Sequence, residues 1–213
     1  MEFGARATGI LCTRVVEMIA RTTLRHVCKS AAGLVVLVTL GANGPAHAAD
    51  VDIGRQALVL ARALAYDRNL PDRAGPSVGV GILYVSGSGD DESKAVHAAF
   101  SALSAVKIGG LPVEVTLIPW KSADALTGSI DTSGVDALYV CSDLTEKLDD
   151  IKGVSQAKSV LTIAGERKYV EAGLSMGVFD KAGEPKLAVN LPASKAEGAS
   201  FSAELLRLAD VIR

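Results

Sequence analysis

The feature that most limits how this chain can fold is an uninterrupted apolar run at residues 78–85, VGVGILYV. A strand with one solvated face alternates apolar and polar residues, whereas a strand covered on both faces is apolar throughout. Three further strand-like segments follow it, each separated from the one before by a helix-like segment. The predicted strands are therefore 78–85, 113–118, 135–141 and 159–164. Strands and helices that alternate with short connections predict a parallel sheet flanked by helices.

The intervening segments have helical spacing of their apolar residues. Residues 71–76, which hold two prolines and a glycine, are predicted as a connector after the first helix. The second helix begins at Asp90, Asp91 and Glu92, because acidic side chains favour the positive N-terminal end of a helix. Asp143 and Glu146 resemble a capping box that starts the fourth helix. The predicted helices are Ile53–Leu64, 90–103, 122–130 and 143–151.

The pattern changes after Gly165. Residues 174–179 and 186–191 are two strand-like runs joined by a turn of six residues, 180–185, which predicts an antiparallel hairpin with a longer loop. A closing helix is predicted from the shared face of Leu205, Leu208, Ala209 and Ile212, with Ser200 or Ser202 at its start. The predicted fold class is therefore α/β, with a mostly parallel sheet flanked by helices, a C-terminal antiparallel hairpin and a closing helix.

The N-terminal residues have the pattern of a secretory signal. A basic lead (Arg21, Arg25, Lys29) precedes an uncharged run at 31–40 and the small-x-small site Ala46-His47-Ala48. The run of 10 residues is about half of the ~20 that a spanning helix needs, so removal of residues 1–48 is expected rather than anchoring. Residues 49–213 then form a single exported domain, which in a bacterium places the protein in the periplasm. Met1 and Met18 both remain possible start sites.

The expected mature chain has few residues suited to chemistry. It keeps one cysteine, Cys141, and one histidine, His97, and it has 17 Lys+Arg against 22 Asp+Glu. A single cysteine cannot close an internal disulfide, and one histidine with one distant cysteine does not assemble a typical zinc site. No basic stripe interleaved with aromatic residues is present, so nucleic acid is not expected as a partner. The sequence predicts no metal, no cofactor and no enzymatic activity.

One catalytic motif occurs in literal form. Residues 173–177 read G-x-S-x-G, with Ser175 at its centre. A nucleophile elbow requires a strand, a sharp turn, a helix and a later histidine. Here strand-like residues follow the motif and no histidine lies beyond His97. A hydrolase centred on Ser175 is therefore less favoured than either a regulator that acts by protein contact or a small-ligand receptor.

A binding site is expected at the carboxyl ends of the strands, where open α/β sheets bind their ligands. The sequence places there, as candidates for contact with a ligand or partner, Ser86, Ser88, Trp120, Lys121, Ser142, Asp143, Glu166 and Arg167. Trp120 could stack on a ring or anchor a protein partner; the alternative is that it packs against the helix beginning at Ser122. The loop 86–89 is placed to hold an anion, but the three carboxylates that follow would repel one.

The C-terminal part of the chain resembles a known family. Leu161-Thr162-Ile163, Gly173, the segment KLAVNL at 186–191 and the segment LLRLA at 205–209 follow one another in the order and spacing of the YfiR-like family of exported bacterial proteins. Gly110-Leu111-Pro112-Val113 stands where that family has a short turn before its second strand. Asn190 ends the apolar strand of this signature, and we expect it to tie the hairpin to the following turn.

The resemblance implies a non-enzymatic periplasmic regulator. Similar proteins repress the periplasmic sensor domain of an inner-membrane diguanylate cyclase, lower cyclic di-GMP and restrain biofilm formation. Two features depart from the family pattern: Cys141 has no cysteine partner for a redox lock, and Tyr66 to Pro71 stands where the family has a Trp-Pro pair. The expected partner is an inner-membrane signalling protein, with a homodimer as the default assembly. The alternative is a periplasmic receptor for an unidentified small-molecule effector that feeds a sensor or transporter.

Overall fold

A computed structural model describes residues 52–103 and 106–213, so the predicted signal peptide, 1–48, lies outside the described residues. The helices are α1 (Ile53–Leu64), α2 (Leu70–Ala74), α3 (Asp90–Ala102), α4 (Ala123–Ser133), α5 (Leu148–Lys158), α6 (Arg167–Glu171), α7 (Leu191–Ala196) and α8 (Ala203–Leu208), with a 3₁₀ helix at Ser142–Lys147. The strands are β1 (Val78–Tyr84), β2 (Val113–Pro119), β3 (Ala137–Val140), β4 (Leu161–Ala164), β5 (Met176–Lys181), β6 (Glu184–Asn190) and β7 (Asp210–Ile212). No helix among the described residues is long and apolar enough to cross a membrane.

The seven strands form one sheet in the order β2-β1-β3-β4-β5-β6-β7. Strands β1 to β5 pair in parallel, β6 is antiparallel to β5, and β7 is parallel to β6. The predicted fold class is confirmed. The chain steps from β1 outward to β2 and then returns to β3 on the other side of β1, which makes the β1–β3 boundary a point where the strand order reverses.

The apolar run that predicted a doubly covered strand is buried on both faces. Val80 and Ile82 point into a core shared with α1 and α3, whereas Leu83 points into a second core shared with α4 and α5. Gly79 is required in β1, because a Cβ there would lie 2.0 Å from the carbonyl oxygen of Gly134. Two cores, one on each face, therefore fix β1 as the centre of the parallel part of the sheet.

Three local predictions were wrong. The connector predicted at 71–76 contains α2, because Pro71 occupies the first turn, where its missing N–H is not needed. The six-residue hairpin loop is a two-residue turn, Ala182-Gly183, with both residues at positive φ (57° and 83°). The closing helix ends at Leu208, and the chain continues into β7 beside β6.

The predicted capping box is also wrong, because Asp143 lies inside the 3₁₀ helix and its carboxylate binds the loop after β1. Helices α6 and α7 were not predicted. The expectation for Asn190 is confirmed: its Oδ1 accepts from the backbone N–H of Ala193 at 3.1 Å, and its Nδ2 donates to the carbonyl of Val170 at 3.0 Å. The amide thus caps α7 and ties β6 to α6.

Candidate functional site

Side chains that follow the strands of the parallel sheet connect its loops at the carboxyl edge. The Asp143 carboxylate, after β3, accepts hydrogen bonds from the Val85 backbone N–H at 3.2 Å and from the Ser88 hydroxyl at 2.8 Å. The loop after β1 is therefore fastened to the loop after β3. The same loop cannot hold an anion, since Asp143 takes the Val85 amide and Asp90 takes the Gly87 amide at 3.1 Å.

A second contact joins α3 to the end of β3. Glu92 Oε2 accepts from the Ser142 backbone N–H at 3.0 Å and from the Ser142 hydroxyl at 2.6 Å. The phenol of Tyr169 donates to the Ser142 carbonyl and bonds the Thr145 hydroxyl at 2.8 Å. Burial raises the pKa of Tyr169, so this phenol stays protonated and remains a donor. Ser142 is thus held by three hydrogen bonds, two to Glu92 and one to Tyr169.

A cavity of about 290 Å³ lies at this edge, between α1, α3 and the ends of β3 and β4, and its walls are Ile53, Gln56, Glu92, Tyr139, Ser142, Gly165 and Glu166. Its floor is a hydrogen-bonded chain in which the Tyr139 phenol donates to Gln56 Oε1 at 2.9 Å and Gln56 Nε2 donates to the Gly165 carbonyl at 3.0 Å. Gly165 has no room for a side chain, because a Cβ would lie 2.6 Å from the Tyr139 oxygen. The volume of the cavity is at the lower limit of the ~300–1,000 Å³ typical of ligand pockets, so only a small molecule would fit.

The charge of the cavity wall is acidic. Glu92 and Glu166 are half-buried, and Glu166 pairs with the exposed Lys168 at 2.7 Å. The hydrogen bond to Glu166 raises the pKa of Lys168, so this ammonium stays charged. Two carboxylates against one exposed ammonium, beside the apolar side chain of Ile53, favour a ligand that brings positive charge or hydrogen-bond donors.

The structure places some of the predicted site residues at the cavity and others away from it. Ser142 and Glu166 line the cavity, and Ser88 and Asp143 form the adjacent loop contact. Ser86 and Lys121 are exposed.

Trp120 and Arg167 point elsewhere. Trp120 packs against the core shared by α4 and α5, in agreement with the alternative that it packs against the helix after it. Arg167 pairs with Glu171 at 2.7 Å and with Asp210, and its guanidinium lies 4.9 Å from the centre of the Phe179 ring. It therefore braces α6 against the C-terminal strands and does not face the cavity.

Five cavity residues were missed by sequence reasoning: Ile53, Gln56, Glu92, Tyr139 and Gly165. Two of them carried a signal. Gln56 is a buried amide on the apolar face of α1, and Tyr139 is the one side chain of the apolar strand β3 that ends in a hydroxyl. Buried polar groups of this kind must find partners, and here they find each other.

The G-x-S-x-G motif has a different role from that of a nucleophile elbow. Ser175 is fully buried, leads directly into β5, and donates its hydroxyl to Glu197, which is also fully buried. The same carboxylate accepts from the Thr162 backbone N–H at 2.8 Å, from the Thr162 hydroxyl at 2.8 Å and from the Ser155 hydroxyl at 2.9 Å. Burial raises the pKa of Glu197 despite these donors. With neither residue among the cavity walls, the cluster ties α5, β4, β5 and the end of α7 together.

Cys141 is buried, and burial raises its thiol pKa far above the usual range, so thiolate chemistry is suppressed. Within residues 52–103 and 106–213, no group of three His, Cys, Asp or Glu side chains is placed to hold a metal ion.

The fold and site define an α/β domain with an open, mostly parallel sheet and a small cavity at its carboxyl edge. The ABC domain from Streptococcus pneumonia solved in complex with L-Trp is similar in fold (TM-score 0.53, 17% identity, 76% of this chain and 60% of that chain). A conserved domain protein from Vibrio cholerae O1 biovar El Tor is similar to the same extent (TM-score 0.54, 14% identity, 76% and 60%). The chain thus spans about 60% of the length of each of these proteins. No curated protein matches this chain.

The family is given by the sequence. Residues 56–210 match the model of the family described as DUF4154, YfiR/HmsC-like, and the chain belongs to that family. Membership supports a periplasmic regulatory role. The family is one of regulators, not known as enzymes.

Proposed function

We propose that this protein is a non-enzymatic periplasmic repressor that binds the periplasmic sensor domain of an inner-membrane diguanylate cyclase and thereby lowers cyclic di-GMP. The observation that carries the proposal is the family match over residues 56–210. Two features of the structure agree with it. Ser175 is enclosed by protein, and the carboxyl edge of the sheet is built from loops that are fastened to one another rather than arranged around a reactive group.

The proposed contact surface is the carboxyl edge, for which the sequence predicts Ser86, Ser88, Trp120, Lys121, Ser142, Asp143 and Arg167. Of these, Asp143 holds the adjoining loops, Trp120 packs against the core, and Arg167 braces α6. Ser86, Ser88, Lys121 and Ser142 are exposed there. Asp143 holds the loop of Ser86 and Ser88, and Glu92 holds Ser142. A surface that is ordered before binding loses less conformational freedom on association than a flexible one, which favours a specific complex.

The test compares two exposed lysines at opposite ends of one strand. Lys121 follows β2 at the carboxyl edge, whereas Lys107 precedes the same strand. In cells that lack the gene, the level of cyclic di-GMP is expected to rise. The wild-type gene and the Lys107→Glu variant should return it to the original low level, whereas the Lys121→Glu variant should not. Cross-linking in the envelope should capture an inner-membrane signalling protein with the first two forms. Unchanged cyclic di-GMP on deletion, with no such protein captured, would refute the proposal.

A second function is favoured by the cavity itself: a periplasmic receptor for a small ligand. The cavity of about 290 Å³ bears the Glu92 and Glu166 carboxylates, so the ligand class proposed is a small molecule with an amino or guanidino group. Binding at 100 times the dissociation constant would stabilise the protein by about 2.7 kcal/mol, which thermal unfolding detects easily.

The matched variants for this test are two glycine substitutions. Gly165→Ala places a methyl group against Tyr139 and Gln56 inside the cavity, whereas Gly153→Ala adds one on α5 with no atom within 4 Å. L-lysine, L-arginine and putrescine are the probes, and L-glutamate is the negative control. Stabilisation by an amine that survives in Gly153→Ala and disappears in Gly165→Ala supports the receptor. Equal responses to L-glutamate, or no response to any amine, contradict it.

A further inference from the structure

The two edges of the sheet are unequal. At one end, β7 has three residues, and its Asp210 is ion-paired with Arg167. Short strands and charges are the usual means by which proteins keep a sheet edge from pairing. At the other end, β2 runs for seven residues, Val113–Pro119, with Glu114 as its single charge, and no described strand lies beyond it. This edge lacks the protection that β7 has.

The hydrogen bonds to β1 determine which groups of β2 face outward. The Val78 N–H donates to the Pro112 carbonyl, and the Trp120 N–H donates to the carbonyl of Tyr84. Alternate residues of a strand bond to the same neighbour, so the even-numbered residues of β2 bond to β1. The N–H and C=O groups of Val113, Val115 and Leu117 therefore face the open edge.

The side chains of this edge are also suited to pairing. Val113 and Val115 pack partly against the core beneath α1 and α3, and Leu117, on the same face of the strand, is 37% exposed. On the opposite face, a groove of about 410 Å³ runs between β2 and α4. Its α4 wall is built from small residues and hydroxyls, namely Ala125, Gly128, Ser129, Thr132 and Ser133.

We infer that a second copy of this chain pairs with β2, antiparallel, about a two-fold axis at Val115. In this register Val115 faces its own symmetry mate, and Val113 faces Leu117 of the second copy. Each of the three hydrogen-bonded pairs exchanges two bonds, about six in all. The apolar side chains meet on one face, where they extend the core beneath α1 and α3 across the axis.

Charge decides between this register and its neighbours. About Val115, each Glu114 faces a Thr116 hydroxyl at the mouth of the groove, whose α4 wall supplies further hydroxyls such as Ser133. An axis at Glu114 would place two carboxylates directly opposite, which is destabilising. An axis at Thr116 would place Glu114 against Ile118, an apolar side chain buried in the core. Of these three registers, only the one about Val115 avoids both the opposed carboxylates and the contact of Glu114 with Ile118. This inference does not depend on the proposed repressor function.

Disulfide trapping tests the register. Residues facing each other in a hydrogen-bonded antiparallel pair have Cα atoms about 5.5 Å apart, within disulfide range. Val115→Cys should form a disulfide-linked dimer on mild oxidation of the purified protein, well above the level of the parent chain. Val113→Cys is the matched control, because its symmetry mate lies four residues along the strand and should not cross-link. Cross-linking through Thr116→Cys instead would overturn the register, and equal cross-linking at all three positions would overturn the interface.

Sedimentation equilibrium tests the interface without new cysteines. The wild-type protein should be dimeric at micromolar concentration. Val115→Pro removes an N–H that faces outward and leaves the bonds to β1 in place, a position where edge strands tolerate proline. Its dissociation constant should rise at least tenfold while its circular dichroism is unchanged, whereas Val115→Ala keeps the N–H and should remain dimeric. A wild-type monomer at 100 μM, or a dimer that Val115→Pro does not weaken, would overturn the inference.

Discussion

The buried Glu197 cluster gives the sharpest prediction about what holds this fold together. Four hydrogen bonds end on one carboxylate: those of the Thr162 amide and hydroxyl and of the Ser155 and Ser175 hydroxyls. All of these residues are buried. Removing the acceptor therefore leaves donors that water cannot reach.

The magnitude follows from which donors can turn elsewhere. The Ser155 hydroxyl already contacts the Lys152 carbonyl at 3.0 Å and keeps a partner. The Thr162 amide is fixed by β4 and cannot turn, and an unsatisfied buried donor costs about 1–3 kcal/mol. With the loss of the remaining hydroxyl bonds, which are stronger because the acceptor is a carboxyl group, Glu197→Ala should cost about 3–5 kcal/mol. This is a large part of the ~5–15 kcal/mol that stabilises a typical domain.

Urea unfolding followed by circular dichroism at pH 7 measures this loss. The control is Glu171→Ala, which removes a carboxylate that is 54% exposed and pairs with Arg167 on the surface. Exposed ion pairs contribute about 0–1 kcal/mol, so this variant should be nearly neutral. A loss below ~1 kcal/mol for Glu197→Ala, or one equal to that of the control, would show that the cluster does not stabilise the fold as its geometry indicates.

Three further outcomes are expected from urea unfolding. The pKa of Glu197 is raised in the folded state, so between the unfolded pKa near 4.5 and the folded pKa the native protein binds more protons than the unfolded chain. The stability of the wild type relative to Glu197→Gln should therefore fall as pH rises above 4.5. A difference that stays constant or rises contradicts this. Gly79→Ala should destabilise the protein severely, because the added Cβ would lie 2.0 Å from the Gly134 carbonyl oxygen. Gly153→Ala, at an exposed position of α5, should stabilise it by ~0.5–1 kcal/mol, and similar effects of the two variants would be contrary evidence. Asp67→Ala should cost about 3 kcal/mol, since this buried carboxylate accepts from two backbone amides and Arg73, and a neutral result would contradict that accounting.

The parallel half of the fold could be predicted because its determinants are local. Burial on both faces makes each central strand apolar throughout, and this pattern is visible at residues 78–85 without knowledge of the rest of the chain. Helix α1 was predicted at its observed bounds, Ile53–Leu64, because its apolar residues repeat at helical spacing. Asn190 was interpretable for the same reason: a polar amide that ends an apolar strand must be satisfied nearby, and it caps α7.

The C-terminal end shows where periodicity misleads. Leu205 and Leu208 share a helical face, yet Leu205 is 4% exposed and Leu208 is 73% exposed. The spacing would have been the same had both been buried. What ends α8 is the open side of β6, which offers hydrogen bonds to Asp210–Ile212 and so favours a strand over another helical turn. Competition of this kind depends on a distant strand and leaves no local mark.

The cavity could not be predicted because its members are distant in sequence. Gln56 and Gly165 are 109 positions apart and are joined by one hydrogen bond. Glu92 was interpreted as a favourable residue for a helix start, and it does lie in the first turn of α3. Its additional role, holding Ser142, exists only because β1 and β3 are neighbours in the sheet. The strand-end rule led to the edge of the sheet at which this cavity lies, but it named only Ser142 and Glu166 among the side chains that line it.

The position of α1 connects the cavity to the N-terminus of the domain. Ile53 and Gln56, both in the first turn of α1, form one wall of the cavity, and Gln56 is anchored by Tyr139 from β3 and by Gly165 after β4. Helix α1 also packs along α3, whose Glu92 forms another wall. A ligand or partner that displaces Gln56 would break the hydrogen bonds that join α1 to β3 and to the residue after β4, whereas the Ser142 loop would stay held by Tyr169. Because α1 and α3 both contribute to the walls, a molecule bound in the cavity would contact both helices at once.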